Sequence, residues 1–234
     1  MNCPMARAVV SAAPADRHGC LMLEPRNCKL YHSTLMDDDV IKAMARWPNV
    51  PAVYGWLSLD RRGRWRLHPL GNVAAGGPGE LVTHPGVLAF FNRNYGHEGQ
   101  DWFVQNGPQR VYVRLDAAPF LLRLADTGPG LQAHTGQPAG PVSHWWLNED
   151  GQLYATTGLG PGMIEDRDLA PLLDRLRTAA GDPAGPALEA LLAGTQQGPA
   201  PALSLDGDPP APLARIARSD APALLRFHAN PGRH

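Results

Sequence analysis

Hydrophobic and polar positions along this chain follow two periods, and the changes between them mark out its elements. The first sustained pattern starts at Asp37-Asp38-Asp39 and places Val40, Ile41, Met44 and Trp47 on one helical face. The acids stand at the positive end of the helix dipole, Lys42 and Arg46 stand toward its negative end, and Pro48 stops the run. The period then shortens to two. Val53, Leu57 and Leu59 share one face before the Asp60…Gly63 turn, and Arg64–Leu67 returns, which predicts a hairpin. After a Gly-rich loop over 71–80, Thr83 caps a helix whose stripe is Val87, Leu88, Phe91 and Tyr95, ended by Gly96.

Alternation resumes at 102–105 and 109–115, a second hairpin in which Val111, Val113 and Leu115 face one way and Arg110, Tyr112 and Arg114 the other. Phe120–Leu124 adds a strand, and Val142–Leu147 with 152–156 forms a third hairpin around Asn148…Gly151. Asp166 or Asp168 caps a helix carrying Leu169, Leu172, Leu173 and Leu176, and a short helix is predicted over 186–193. The Pro-rich remainder holds apolar fragments at 202–205, 213–217 and 223–227, read as short edge strands or extended chain.

These elements predict an α+β fold: antiparallel hairpins covered by three or four helices, in one domain over 36–194, with 195–234 packing on it. Residues 1–35 lack periodicity and are read as an unstructured arm, with Met36 as an alternative start. An internal hairpin–helix repeat is suggested by Gly77-Pro-Gly79 and Gly160-Pro-Gly162, each followed four residues later by a helix cap.

Composition narrows the functions. The 234 residues carry 21 basic and 22 acidic side chains, so no net field attracts nucleic acid or an anionic membrane. No apolar run reaches the roughly 18 residues of a membrane helix, and the N-terminal stretch lacks a secretory apolar core, so a cytoplasmic location is expected. Cys3, Cys20 and Cys28 stand outside the patterned region and match no zinc spacing.

The blocks Arg46-Trp-Pro-Asn-Val-Pro51, Gly55-Trp-Leu-Ser-Leu-Asp60, Arg93-Asn-Tyr95, Trp102–Val113 and Asp166-Arg-Asp-Leu169 resemble a bacterial domain-of-unknown-function family of small cytosolic proteins. The likeness covers roughly residues 36–180. It implies no catalytic role, because the family has no established activity.

Candidate chemistry concentrates on the second hairpin. Arg110, Tyr112 and Arg114 form a polar row, with Gln105 and Asn106 at the turn and Arg93, Asn94 and Tyr95 at the end of the preceding helix. Guanidinium forks and amides so spaced could hold a carboxylate or phosphate, with Tyr as a stacking plane. Trp56 opposes the Leu57/Leu59 face, which makes it either a platform for a ligand or a ring packed under a helix. The histidines show no metal-ligand spacing, no GxSxG surrounds a serine, and proline spoils the Gly-rich loops as phosphate cradles; no cofactor or metal is expected. The leading expectation is a binding or interaction module for an anionic small ligand or a protein partner. The alternative is an enzyme acting on a small molecule through His97, Asp101, Arg110 and Tyr112.

Overall fold

The computed structural model describes residues 36–232, so the arm expected over 1–35 lies outside the described residues. The α+β expectation is overturned. The fold is mostly β, with 34% of the described residues in strands against 22% in helices. Its strands form a six-stranded and an eight-stranded sheet, both mixed, rather than helix-covered antiparallel hairpins. The strands Glu80–Leu81, Tyr95–Glu98, Leu131–Ala133, Pro161–Ile164 and Leu176–Thr178, of two to four residues, escaped the alternation argument, because so short a run carries no readable period.

Helix α1 (Asp38–Arg46) forms where the acid-to-base gradient predicts it, with Val40 buried. The first sheet is then built from β1 (Val53–Leu59), β2 (Trp65–Leu67), β3 (Glu80–Leu81), helix α2 (Pro85–Arg93), β4 (Tyr95–Glu98), β5 (Asp101–Asn106) and β6 (Gln109–Leu115). Its order is β3-β2-β1-β6-β5-β4. Two antiparallel meanders meet through the parallel pair β1–β6, and α2 carries the chain from one outer edge to the other. The α2 stripe stops earlier than its apolar spacing suggested: Tyr95 already belongs to β4.

A hairpin, β7 (Phe120–Leu124) and β8 (Leu131–Ala133), leads into the second sheet. There β9 (Val142–Leu147), β10 (Leu153–Thr157), β11 (Pro161–Ile164), α3 (Asp166–Arg175), β12 (Leu176–Thr178), α4 (Gly185–Ala193), β13 (Ala202–Leu205) and β14 (Ala211–Arg215) follow in turn, and α5 (Ala221–Leu224) ends the series. The order is β12-β13-β14-β9-β10-β11-β7-β8. Far from being an edge element, β14 pairs in parallel with β9 in the middle of the sheet.

Six strands of this sheet repeat the connectivity of the first. Strands β9 to β14 stand to one another as β1 to β6 do, with a parallel pair at the centre and a helix between third and fourth strands. The repeated unit is therefore not a hairpin and helix but a whole sheet. Its register can be followed residue by residue. Asp60 Oδ1 accepts from the backbone N–H of Arg62 and Arg64, and Asn148 Oδ1 accepts likewise from Asp150 and Gln152, so the two first turns are the same Asx-turn. Counting from it, Leu57 opposite Val113 matches Trp145 opposite Leu213. Val104 opposite Val111 matches Leu203 opposite Ala211. Leu81 opposite Arg66 matches Met163 opposite Tyr154.

One continuous core joins the halves. At their seam His134 is ringed by Trp65, Tyr95 and Phe120, with centroids 5.7, 5.8 and 6.0 Å away. Burial drives its ring pKa down to about 3, and Arg123 nearby acts in the same direction.

Candidate functional site

Pairing across β5 and β6 decides where each candidate side chain points, because directly opposed residues share a face. Gln105 opposes Arg110, Phe103 opposes Tyr112, and Arg114 opposes Ser58 of β1; these occupy the outer face. Val104 opposes Val111 and Asn106 opposes Gln109 on the inner face, toward α2. The alternation thus splits the expected site in two.

On the outer face the cationic row is already satisfied. Arg110 pairs with Glu98 and lies 4.7 Å over the Phe103 ring. Arg114 binds Asp116 at 2.8 Å and donates to the Val73 carbonyl at 2.7 Å. Tyr112 stacks on Tyr54 at 4.6 Å and meets Phe103 edge-on. Gln105 is buried and donates to the Gly107 carbonyl. Ser58 and His68 close this face with a 2.9 Å hydrogen bond, and burial, then the nearby Arg114, lowers the His68 pKa.

The Arg93-Asn94-Tyr95 segment holds the scaffold. Arg93 donates to both Asp37 carboxylate oxygens, and Asn94, buried, ties Asp37 to the end of α2. The Arg93 and Asn94 hydrogen bonds hold the Asp37 carboxyl below its ordinary range. Tyr95 lies in the core, donating to the Pro119 carbonyl, and burial pushes its hydroxyl pKa up.

The enzyme quartet does not converge. His97 opposes Trp102, on the face away from Arg110 and Tyr112, and its ring lies against that indole at 4.5 Å. Asp101 hydrogen-bonds His228 at 2.7 Å. Among the described residues there is no group of three or more His, Cys, Asp or Glu placed to hold a metal ion.

What the inner face offers instead is an open groove of about 600 Å³ between the sheet and α2. Val53, Leu57, Leu67, Val104 and Val111 make its floor, and Phe90 and Phe91 make the helix wall. Trp56 forms a rim, 43% exposed. The irregularity between Val53 and Leu57 puts it there: the register of β1 against β6 slips at Gly55, whose φ is +87°. A Cβ at Gly55 would stand 2.3 Å from the Gly71 carbonyl oxygen, and the Trp56 indole lies directly over Gly71. Glycine is needed at both positions for that approach. Two neutral amides, Asn106 and Gln109, line the same groove, and no charged residue does.

Sequence reasoning found Trp56 and Asn106 but assigned the floor to a closed core. The available signal was Gly55 inside a strand, which breaks alternation and marks a bulge.

A family model described as "Protein of unknown function (DUF2946)" matches residues 36–231. No curated protein matches the chain. Among solved structures, a DUF1285 family protein from Silicibacter pomeroyi DSS-3 is similar at 16% identity and a TM-score of 0.46, over 79% of this chain and 90% of that one.

Proposed function

We propose that this chain, which belongs to the family of unknown function whose model it matches, is a binding module whose site is the groove between α2 and the first sheet. Its ligand is a small, uncharged, largely apolar molecule. The volume falls in the range that encloses small ligands, and eight of the ten lining residues are apolar. An anionic ligand is disfavoured at the expected cationic row, because Arg110 and Arg114 already hold carboxylates of this chain with which it would have to compete.

The observation that carries this reading is the contrast with the second half. Where the groove floor has Leu57, the matching position is Trp145, equally buried but far larger, its indole N–H donating to the Leu203 carbonyl 3.3 Å away. We read that indole as taking up, in the second half, the space that the first leaves open above Leu57.

The test is saturable binding of the neutral fluorophore N-phenyl-1-naphthylamine to the full chain. Binding is expected in the wild type, and Leu57→Trp, which copies the filled half, is expected to weaken it at least tenfold while the thermal melt stays cooperative. Absence of saturable binding, or equal binding by a folded Leu57→Trp, overturns the proposal.

A further inference from the structure

Two amides stand in the groove where the apolar pattern calls for hydrocarbon. Asn106 closes β5 and Gln109 opens β6; they are opposed across the two-residue Gly107-Pro108 turn and face the groove floor. Counting from Val104 and its match Leu203, the position of Asn106 is that of Leu205 in the second half, which is buried at 3% exposure. The filled half places aliphatic carbon at the position where the open half places a primary amide.

Their hydrogen-bonding states differ. Gln109 donates from Nε2 to the Pro51 carbonyl at 3.1 Å, which fixes its head group and leaves Oε1 as a spare acceptor. Asn106 is exposed and makes no side-chain hydrogen bond among the described residues, so its Nδ2 donor and Oδ1 acceptor are held by no group of the chain. A fixed acceptor beside a free donor, both neutral, at the end of an apolar trough complements one group above others. That group is a carboxamide, whose carbonyl accepts a hydrogen bond from Asn106 Nδ2 and whose N–H donates one to Gln109 Oε1. A carboxylate has no N–H to offer the Gln109 acceptor and finds no charged partner in the lining of the groove. A hydrocarbon would leave the ligand-facing amide atoms unpaired once water is displaced.

We infer that the ligand of the groove carries an uncharged carboxamide at one end of an apolar or aromatic body, and that Asn106 and Gln109 are the pair that selects it. The inference rests on the groove being the binding site, and its test separates the two.

Naphthalene-2-carboxamide, 2-methylnaphthalene and 2-naphthoate share a ring and differ only in the end group. Each is titrated against bound N-phenyl-1-naphthylamine in the wild type and in Asn106→Leu, which installs the second half's own residue at an exposed strand end. The ratio of carboxamide to methyl affinity is expected to fall at least tenfold in Asn106→Leu, with the methyl compound binding as well as before or better. Gln109→Leu is expected to lower the same ratio, and naphthoate to bind more weakly than the carboxamide in the wild type. If the methyl compound competes in the wild type but the ratio is unchanged in a folded Asn106→Leu, the carboxamide assignment is overturned and the groove reading stands. If naphthoate outcompetes the carboxamide, the assignment also fails. If none of the three rings competes, the groove reading fails and takes this inference with it.

Discussion

The two halves of this protein share connectivity, first-turn geometry and central register, yet they differ in how much apolar surface they leave exposed. Among the described residues eight large hydrophobics are exposed, and seven of them fall between Ile41 and Val87, in the first sheet, its helices and the loops that join them. Matched positions show why. Leu67 is 40% exposed where its counterpart Ala155 is wholly buried, and Leu81 is 44% exposed where Met163 is wholly buried. Strand β11 is capped by β7, whereas β3 is an open edge. Helix α4, with Leu188 and Leu191 buried, adds cover that the first half lacks, and α2 buries no residue completely. The lesson is that one topology specifies where a helix crosses a sheet, while single side chains such as Leu57 and Trp145 decide whether the space beneath becomes core or groove.

The strongest blow to this contrast is Trp145→Leu, which puts the first half's residue into the second. Removing most of a fully buried indole should cost about 3–4 kcal/mol in urea unfolding. A loss below about 1 kcal/mol would mean that the second half does not depend on that ring.

Acid should act next, at the seam. The folded-state pKa of His134, about 3, lies below its unfolded value of roughly 6.5. The folded state therefore binds fewer protons than the unfolded one, and stability present above pH 6.5 is lost as pH falls toward 3. Between pH 7 and 4.5 the loss should come to about 2.5 kcal/mol. His134→Leu should flatten that slope, leaving mainly the smaller share of His68, and an unchanged slope in the variant refutes the assignment.

Gly55→Ala tests the bulge that places the Trp56 rim. A side chain there is strained at φ +87° and meets the Gly71 carbonyl, so the expected cost is about 2 kcal/mol with weakened fluorophore binding. The smallest effect is expected from Arg110→Met on the outer face. Its partly exposed pair with Glu98 should be worth under about 1 kcal/mol, and groove binding should not change. A large loss of ligand affinity in this variant would return function to the cationic row.

Much of the local structure was legible in the sequence. Helix α1 and the hairpins β1–β2, β5–β6 and β9–β10 announce themselves through period, caps and Asx-Gly turns. The parallel pairs were not legible, since β1 meets β6 and β9 meets β14 across long intervals that no local pattern encodes. Nor were β3, β8 and β12, which are only two or three residues long and take their pairing from neighbours. The candidate row was read correctly as one face of a ribbon: Arg110, Tyr112 and Arg114 do share it. What spacing cannot reveal is that Glu98, Asp116 and Tyr54 arrive from elsewhere to occupy the same side chains. The groove was hidden for the converse reason. Its floor consists of ordinary strand aliphatics, and nothing in Val53, Leu57 or Val111 distinguishes a covered position from an open one.

The parallel centre of each sheet also sets an order of events during synthesis. Strand β1 cannot find β6 until about 60 further residues have been made, and β9 waits still longer for β14. The local hairpins on either side form from neighbours in sequence, but the middle of each half closes last. The N-terminal sheet contains all its strands by Leu115, whereas the C-terminal one lacks its central partner until Ala211 has emerged. A nascent chain arrested between Leu205 and Ala211 would therefore carry every strand of the first sheet and a second sheet still split down its middle.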